Sequence, residues 1–181
     1  MIILIEGFSC TGKSSLAQVF SKELDIPVVH FGIPPTEDIY DWFFYQFDLA
    51  VTKNRHLIID RFHLSNFAYR DAVGGGVLTN AEWFKLDEML ASFDTCLLLL
   101  CDDPFCIQDR LQKREKQDRA NQMDRWQIGE IQQRFFEAMR MSQIDSKGSY
   151  QFSQFINCEE GYMPQMEHAL REMRKGMGSA T

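Results

Sequence analysis

The 181-residue chain is 45% hydrophobic and 25% charged, a balance that suits one ordinary globular domain with a sizeable core. Its formal net charge of −7 argues against nonspecific nucleic-acid binding, which needs clustered Lys and Arg. No apolar run approaches the ~18 residues that span a membrane, and no basic leader precedes the first apolar run.

The five cysteines (Cys10, Cys96, Cys101, Cys106 and Cys158) are odd in number. They contain no C-x-x-C and do not pair with the histidines, which argues against a zinc site and for free thiols in a reducing cytoplasm.

Ile2-Ile3-Leu4-Ile5 reads as a buried strand. Gly7-Phe8-Ser9-Cys10-Thr11-Gly12-Lys13-Ser14 follows it and fits G-x-x-x-x-G-K-[ST]. A helical pattern through Leu16, Ala17, Val19, Phe20 and Leu24 comes next, so the motif has the strand and helix it requires. Gly7 and Gly12 permit backbone angles and approaches that a β-carbon blocks. The N–H groups of Ser9, Cys10, Thr11, Ser14 and Ser15 can then converge on phosphate oxygens at a helix N-terminus. Lys13 can reach the β- and γ-phosphates of ATP, and the Ser14 hydroxyl is a natural Mg²⁺ ligand. Cys10 reads as a small residue filling the loop, with oxidation there as a route to inhibition.

Residues 26–31 form a second short apolar run, ended by Gly32, Pro34 and Pro35. Thr36, Glu37 and Asp38 make a plausible start to a helix over 37–53. That helix carries Tyr40, Trp42, Phe43, Phe44, Tyr45 and Phe47. Rings at helical spacing are usually core, but these are too many for one buried face. Phe44 and Phe47 are candidates for the wall of a pocket holding a flat ligand.

A third strand, residues 56–60, ends in Asp60-Arg61. Asp60 can hold a water on Mg²⁺ or orient an acceptor, and Arg61 can pair with a phosphate. In a helix through Tyr69, Ser65, Asn66 and Tyr69 fall near one another. The plain alternative makes Asp60 a helix cap and Arg61 a surface ion-pair partner. Gly74-Gly75-Gly76 reads as the most flexible loop. A helix through Trp83 and Leu90 leads to the clearest strand, residues 95–101, after which Asp102, Asp103 and Pro104 open another helix. Asp102 is a further metal candidate.

Residues 110–125 carry Arg110, Lys113, Arg114, Lys116, Arg119 and Arg125. A charge run is usually a solvated helix face. The phosphate loop, however, has no cation in its variable positions, and phosphoryl transfer needs positive charge around the moving group. A mobile lid over about 110–127 answers that need, with Arg114 and Arg119 first as catalytic candidates and Arg110 on the ATP side. A further helical segment through Phe135 and Phe136, a weak strand over 151–156 and a helix around Met166, Leu170 and Met173 complete one domain over 1–176, followed by a disordered tail over 177–181. Alternating strands and helices predict an α/β three-layer fold with a mostly parallel, five-stranded sheet. Its ligands should bind beyond the carboxyl ends of the strands.

Asp60-Arg61 followed by Ser65-Asn66-x-Ala68-Tyr69 resembles the acceptor-site motif of thymidylate kinases, P-loop nucleoside-monophosphate kinases. Glu6-Gly7, the arginines at 110, 114 and 119, and Phe135-Phe136-Glu137 resemble that family too; deoxynucleoside kinases fit less well. The resemblance implies ATP and Mg²⁺, with Lys13 and the loop amides on the donor, Ser14 on the metal, and Arg61 on the acceptor phosphate or the phosphoryl in flight. It further implies that Asn66 lies near the base, and Tyr69 against the sugar of a deoxynucleotide.

A pyrimidine deoxynucleotide such as dTMP is the leading acceptor. A hydroxyl of a deoxynucleoside or nucleic-acid end is the alternative, with Asp60, Asp102, Glu37 or Asp38 as base, and a nucleotide-dependent switch is a third reading. The family is usually dimeric, and the aromatic helix could supply an interface. The chain departs from the family after the second strand, where His30-Phe31-Gly32-Ile33-Pro34-Pro35 replaces Arg-Glu-Pro, and on the next helix, which lacks the family's base-reading arginine.

Overall fold

The computed structural model describes residues 1–70, 72, 75–114, 123–144, 170, 171, 173 and 174, and the backbone of 150–153. The strands are β1 (Ile2–Gly7), β2 (Val28–His30), β3 (Leu57–Asp60), β4 (Thr95–Cys101) and β5 (Tyr150–Ser153). The helices between them are α1 (Lys13–Leu24), α2 (Ile39–Lys53), α3 (His63–Tyr69), α4 (Asn80–Ala91), α5 (Pro104–Gln112) and α6 (Arg125–Met141). The sheet order is β2-β3-β1-β4-β5, and every pairing is parallel. This is the expected α/β architecture.

Strand alternation divides the core. Ile3 and Ile5 of β1, with Cys96, Leu98 and Leu100 of β4, face α1 and pack with Leu16, Ala17, Phe20, Leu24, Leu170 and Met173. Ile2, Leu4, Leu97 and Leu99 point the other way, into a larger cluster with residues of α2, α3, α4 and α6. Both faces are covered because successive side chains leave opposite sides of a strand. Val19 is exposed, on the outer side of α1.

Gly7 is required by packing. Its φ is +139°, and a β-carbon there would lie 2.1 Å from the Leu100 carbonyl oxygen of β4. The central strands can therefore close on each other only if this position is glycine.

One local expectation needs correcting. Helix α2 starts at Ile39, because Asp38 takes a left-handed conformation with φ 51°; Glu37 and Asp38 are therefore outside it. Gly74 lies outside the described residues, and the end of the Gly-rich segment is anchored. Gly76 N–H donates to the Pro35 carbonyl, and a β-carbon on Gly76 would lie 2.4 Å from that same oxygen. Among the described residues, no helix is long and apolar enough to cross a membrane. Arg119, Cys158, the middle of the expected lid, the 154–156 end of the last strand and the tail over 177–181 lie outside the described residues.

Candidate active site

The loop after β1, the turn after β2, Arg61 after β3 and Asp102 after β4 all lie at carboxyl ends of parallel strands. The loop bends through Cys10 at φ 62° and Gly12 at φ 94°. Gly12 is the N-cap of α1 and provides no side-chain cap, so the first-turn N–H groups, beyond reach of any helical carbonyl, face the loop. Lys13 is buried and donates through Nζ to the Phe8 carbonyl at 2.5 Å. Burial, reinforced by the Arg61 guanidinium, lowers its pKa to about 7.

Asp60 is held by two donors on one oxygen. Ser14 Oγ donates to Oδ2 at 2.7 Å, and His30 Nδ1 lies 3.1 Å from the same atom. Oδ1 is buried with no hydrogen-bond partner among the described residues. A hydroxyl beside a carboxylate with an unclaimed oxygen fits Mg²⁺, a hard cation that keeps waters and takes most of its other ligands from nucleotide phosphates. Among the described residues, no group of three or more His, Cys, Asp or Glu is placed to hold a metal. Asp60 does not cap α3. Glu6 does this from β1: its carboxylate accepts from Phe62 N–H at 2.8 Å, Ser65 N–H at 3.2 Å and Ser65 Oγ at 2.5 Å. Burial pushes the Glu6 pKa up against the pull of these donors.

Asp102, the other metal candidate, sits against Arg110. Its Oδ2 pairs with Arg110 and its Oδ1 accepts from Asp103 N–H. Arg110 also donates to the Cys10 carbonyl at 2.9 Å. It ties α5 and the end of β4 to the phosphate loop, consistent in position with the donor side.

Beside this loop lies a cavity of about 240 Å³. Arg61, Ser65, Asn66 and Tyr69 all line it, as their spacing predicts, and so does Arg114. Arg61 has φ 71°, a strained conformation for a non-glycine residue of the kind found at functional sites. Its guanidinium donates to Ser9 Oγ at 3.1 Å and lies 5.9 Å from the Tyr69 ring centre. Ser9 N–H in turn donates to the Tyr69 hydroxyl at 2.8 Å, and burial raises the pKa of that phenol. Tyr69 therefore braces the phosphate loop.

The acceptor candidates need revision. Phe47 is 2% exposed and packs in the core on Phe62 and Phe93, while Phe44 is exposed and stacks on Tyr40. Neither lines the cavity; Phe43 does, together with Phe31 and Phe62. Those rings interlock, with Phe31 edge-on to Phe62 at 4.8 Å and Phe43 edge-on to Phe62 at 5.1 Å. A shift of one residue on a helix turns a side chain by about 100°, so helical spacing alone could not choose between Phe43 and its neighbours.

Asn66 lines the cavity, but its amide is engaged. Nδ2 donates to the Gly76 carbonyl at 2.8 Å and Oδ1 accepts from Leu78 N–H at 2.9 Å. It staples the 76–78 loop, which Gly76 N–H joins to Pro35. Sequence reasoning missed His30 and Arg70, both lining the cavity. A signal existed for Arg70: it follows Tyr69 directly, one step past the end of the helical motif.

A parallel α/β sheet, a glycine loop leading into a helix, and a cation-lined cavity at the same edge define a P-loop phosphotransferase. The thymidylate kinase family model matches residues 42–154, more than half of the chain, and the protein belongs to that family. It is a nucleotide kinase. A comparison with curated proteins finds no match.

Among solved structures, the chain is similar to the YorR protein of Bacillus subtilis in complex with phosphorylated GDP, at 20% identity and TM-score 0.72, over 98% of this chain and 96% of that one. It is also similar to deoxyadenosine kinase from M. mycoides with bound dATP, at 14% identity and TM-score 0.60, over 96% and 100%. Thymidylate kinase from Candida albicans aligns at 14% identity and TM-score 0.52, over 98% and 91%. At these identities the likeness is one of fold.

Proposed function

We propose that the protein transfers the γ-phosphoryl group of ATP to a deoxynucleoside monophosphate, with a pyrimidine deoxynucleotide such as dTMP as acceptor. The observation that carries this is the lining of one cavity by three arginines, Arg61, Arg70 and Arg114, against an aromatic wall. A monophosphate brings charge that rewards such cations, because Arg–phosphate contacts are charge-assisted; a nucleoside hydroxyl brings none. Arg70, whose guanidinium lies 4.8 Å from the Phe67 ring centre, is a further cation on the cavity lining.

The loop amides and Lys13 bind the donor phosphates. Ser14 and Asp60 would hold Mg²⁺, which neutralises charge between the β- and γ-phosphates. Arg61, beside Ser9 of the loop and facing the cavity, stands between donor and acceptor and stabilises the phosphoryl in flight. Arg114, which also lines the cavity, adds charge there, with Arg119 proposed to act beside it. The aromatic wall takes the base. The remaining general-base candidates for a hydroxyl acceptor weaken that alternative: Asp102 is paired with Arg110, and Glu37 and Asp38 are exposed and away from the cavity lining. Among the described residues, Cys10, Cys96 and Cys101 form no disulfide, which supports a cytoplasmic setting.

Incubation with labelled ATP and Mg²⁺ against nucleosides, nucleoside monophosphates and 5′-hydroxyl oligonucleotides tests the reading. Label should pass to deoxynucleoside monophosphates. Transfer only to nucleosides or oligonucleotides would overturn it, and release of free phosphate with every acceptor would point to a switch.

A further inference from the structure

We infer that His30 is a positioning residue: it fixes the Asp60 carboxylate for the metal-bound donor nucleotide and joins that carboxylate to the acceptor cavity. His30 and Asp60 are register partners at the carboxyl ends of adjacent strands. Their closeness is therefore a property of the sheet, not of a loop free to drift.

The hydrogen bonds on Asp60 are one-sided. His30 Nδ1 and Ser14 Oγ both reach Oδ2, at 3.1 and 2.7 Å, while Oδ1 is buried and has no partner among the described residues. A carboxylate held by one donor can still turn about its Cβ–Cγ bond. Two donors on the same oxygen, from two different elements, fix that rotation and reserve the other oxygen. Buried polar atoms are rarely left unpaired without a reason, and a metal-borne water is a reason of the right chemistry. Because an ionised carboxylate oxygen can only accept, the contact puts a proton on His30 Nδ1.

His30 is also part of the cavity wall, as are Arg61 and Phe31. One ring thus touches the metal-holding carboxylate and the acceptor space at once. Whatever presses on it from the cavity acts on Asp60, and the effect is reciprocal. The donor half of this inference needs only a nucleotide on the phosphate loop; the coupling half rests on the cavity being the acceptor site.

The test uses the full chain with mant-ADP fluorescence, titrating Mg²⁺ into wild type, His30→Ala and His30→Asn, with matched thermal melts as the folding control. His30→Ala should raise the half-saturating Mg²⁺ concentration by about tenfold, the lower end of the usual cost of losing an outer-shell partner. His30→Asn, which can present an N–H close to the Nδ1 position, should recover most of that loss. Binding of mant-ADP in EDTA should be the same in all three. Adding dTMP should shift the Mg²⁺ midpoint in wild type and His30→Asn but not in His30→Ala.

An unchanged midpoint in His30→Ala, or an equal loss in both variants, would overturn the positioning role. A dTMP-insensitive wild type with a displaced His30→Ala midpoint would remove the coupling and count against the acceptor reading, leaving the Asp60 role standing. Mant-ADP binding that ignores Mg²⁺ in wild type would overturn the Ser14–Asp60 site itself.

Discussion

The phosphate loop and the cavity proposed for the acceptor lie at one sheet edge, yet they are built differently. The loop is a contiguous run, Gly7 to Ser14, whose shape follows from two glycines, a helix start and Lys13. The cavity is assembled from β2's exit, α2, α3, the 76–78 loop and Arg114. Contiguous sites can be read residue by residue. Assembled sites depend on which side of each element faces inward, and on which polar groups the scaffold has already claimed.

The largest effect should come from the donor side. Lys13→Ala should lower kcat by about 10²–10³, the range for removing one preorganised donor to developing charge. It should leave dTMP affinity, measured by calorimetry, nearly unchanged. Equal losses on both sides would mean that the two regions are not separable. On the acceptor side, Arg70→Ala should raise the KM for dTMP by about 10- to 100-fold, as expected for a charge-assisted bond of about 1.5–3 kcal/mol. The KM for ATP should stay within about twofold.

Proton linkage separates the halves in another way. Lys13 has its pKa lowered to about 7, first by burial and then by Arg61, and only its protonated form pairs with phosphate. Above pH 7 the free protein has lost that proton, so binding a triphosphate must take one up. Calorimetry at pH 8 in buffers of different ionisation enthalpy should find uptake approaching one proton per ATP. Affinity should fall by up to about tenfold per pH unit above 7. Acceptor binding should show no such uptake from this group.

Asn66→Ala should behave as a loop mutation. Leu78 N–H is buried, and losing its acceptor costs about 1–3 kcal/mol. Hydrogen exchange should quicken at 76–78, and the dTMP KM should rise more than kcat falls. A base-specificity change with unaltered exchange would restore Asn66 to base reading. The smallest effect belongs to Phe44→Ala, which should change acceptor KM by less than about twofold as an exposed substitution, whereas Phe43→Ala should raise it clearly. The reverse order would move the pocket wall to the other side of α2.

How much was legible follows the same division. Continuous apolar runs and helical spacing indicated the strand and helix order, and Asp60-Arg61 with Ser65, Asn66 and Tyr69 indicated a shared cavity. Their individual duties were not legible. Ser65 binds Glu6, Tyr69 takes the Ser9 amide and Asn66 closes a loop. Each partner is far away in sequence, and a polar side chain does not announce whether its hydrogen bonds go to scaffold or ligand. His30 looked like part of an apolar run, and only parallel pairing with β3 brought it to Asp60.

By itself, the sequence determined the glycine loop, the cations available for phosphoryl transfer and the alternation that makes a parallel sheet. These are local properties, set by backbone freedom and by the spacing of apolar side chains. Only the tertiary structure decided that Asp102 is occupied by Arg110, that Phe43 rather than Phe44 or Phe47 lines the cavity, and that Arg70 joins Arg61 and Arg114 there. Such choices depend on helix rotation and on competition among buried polar groups for a limited set of partners, and these are fixed when the elements pack.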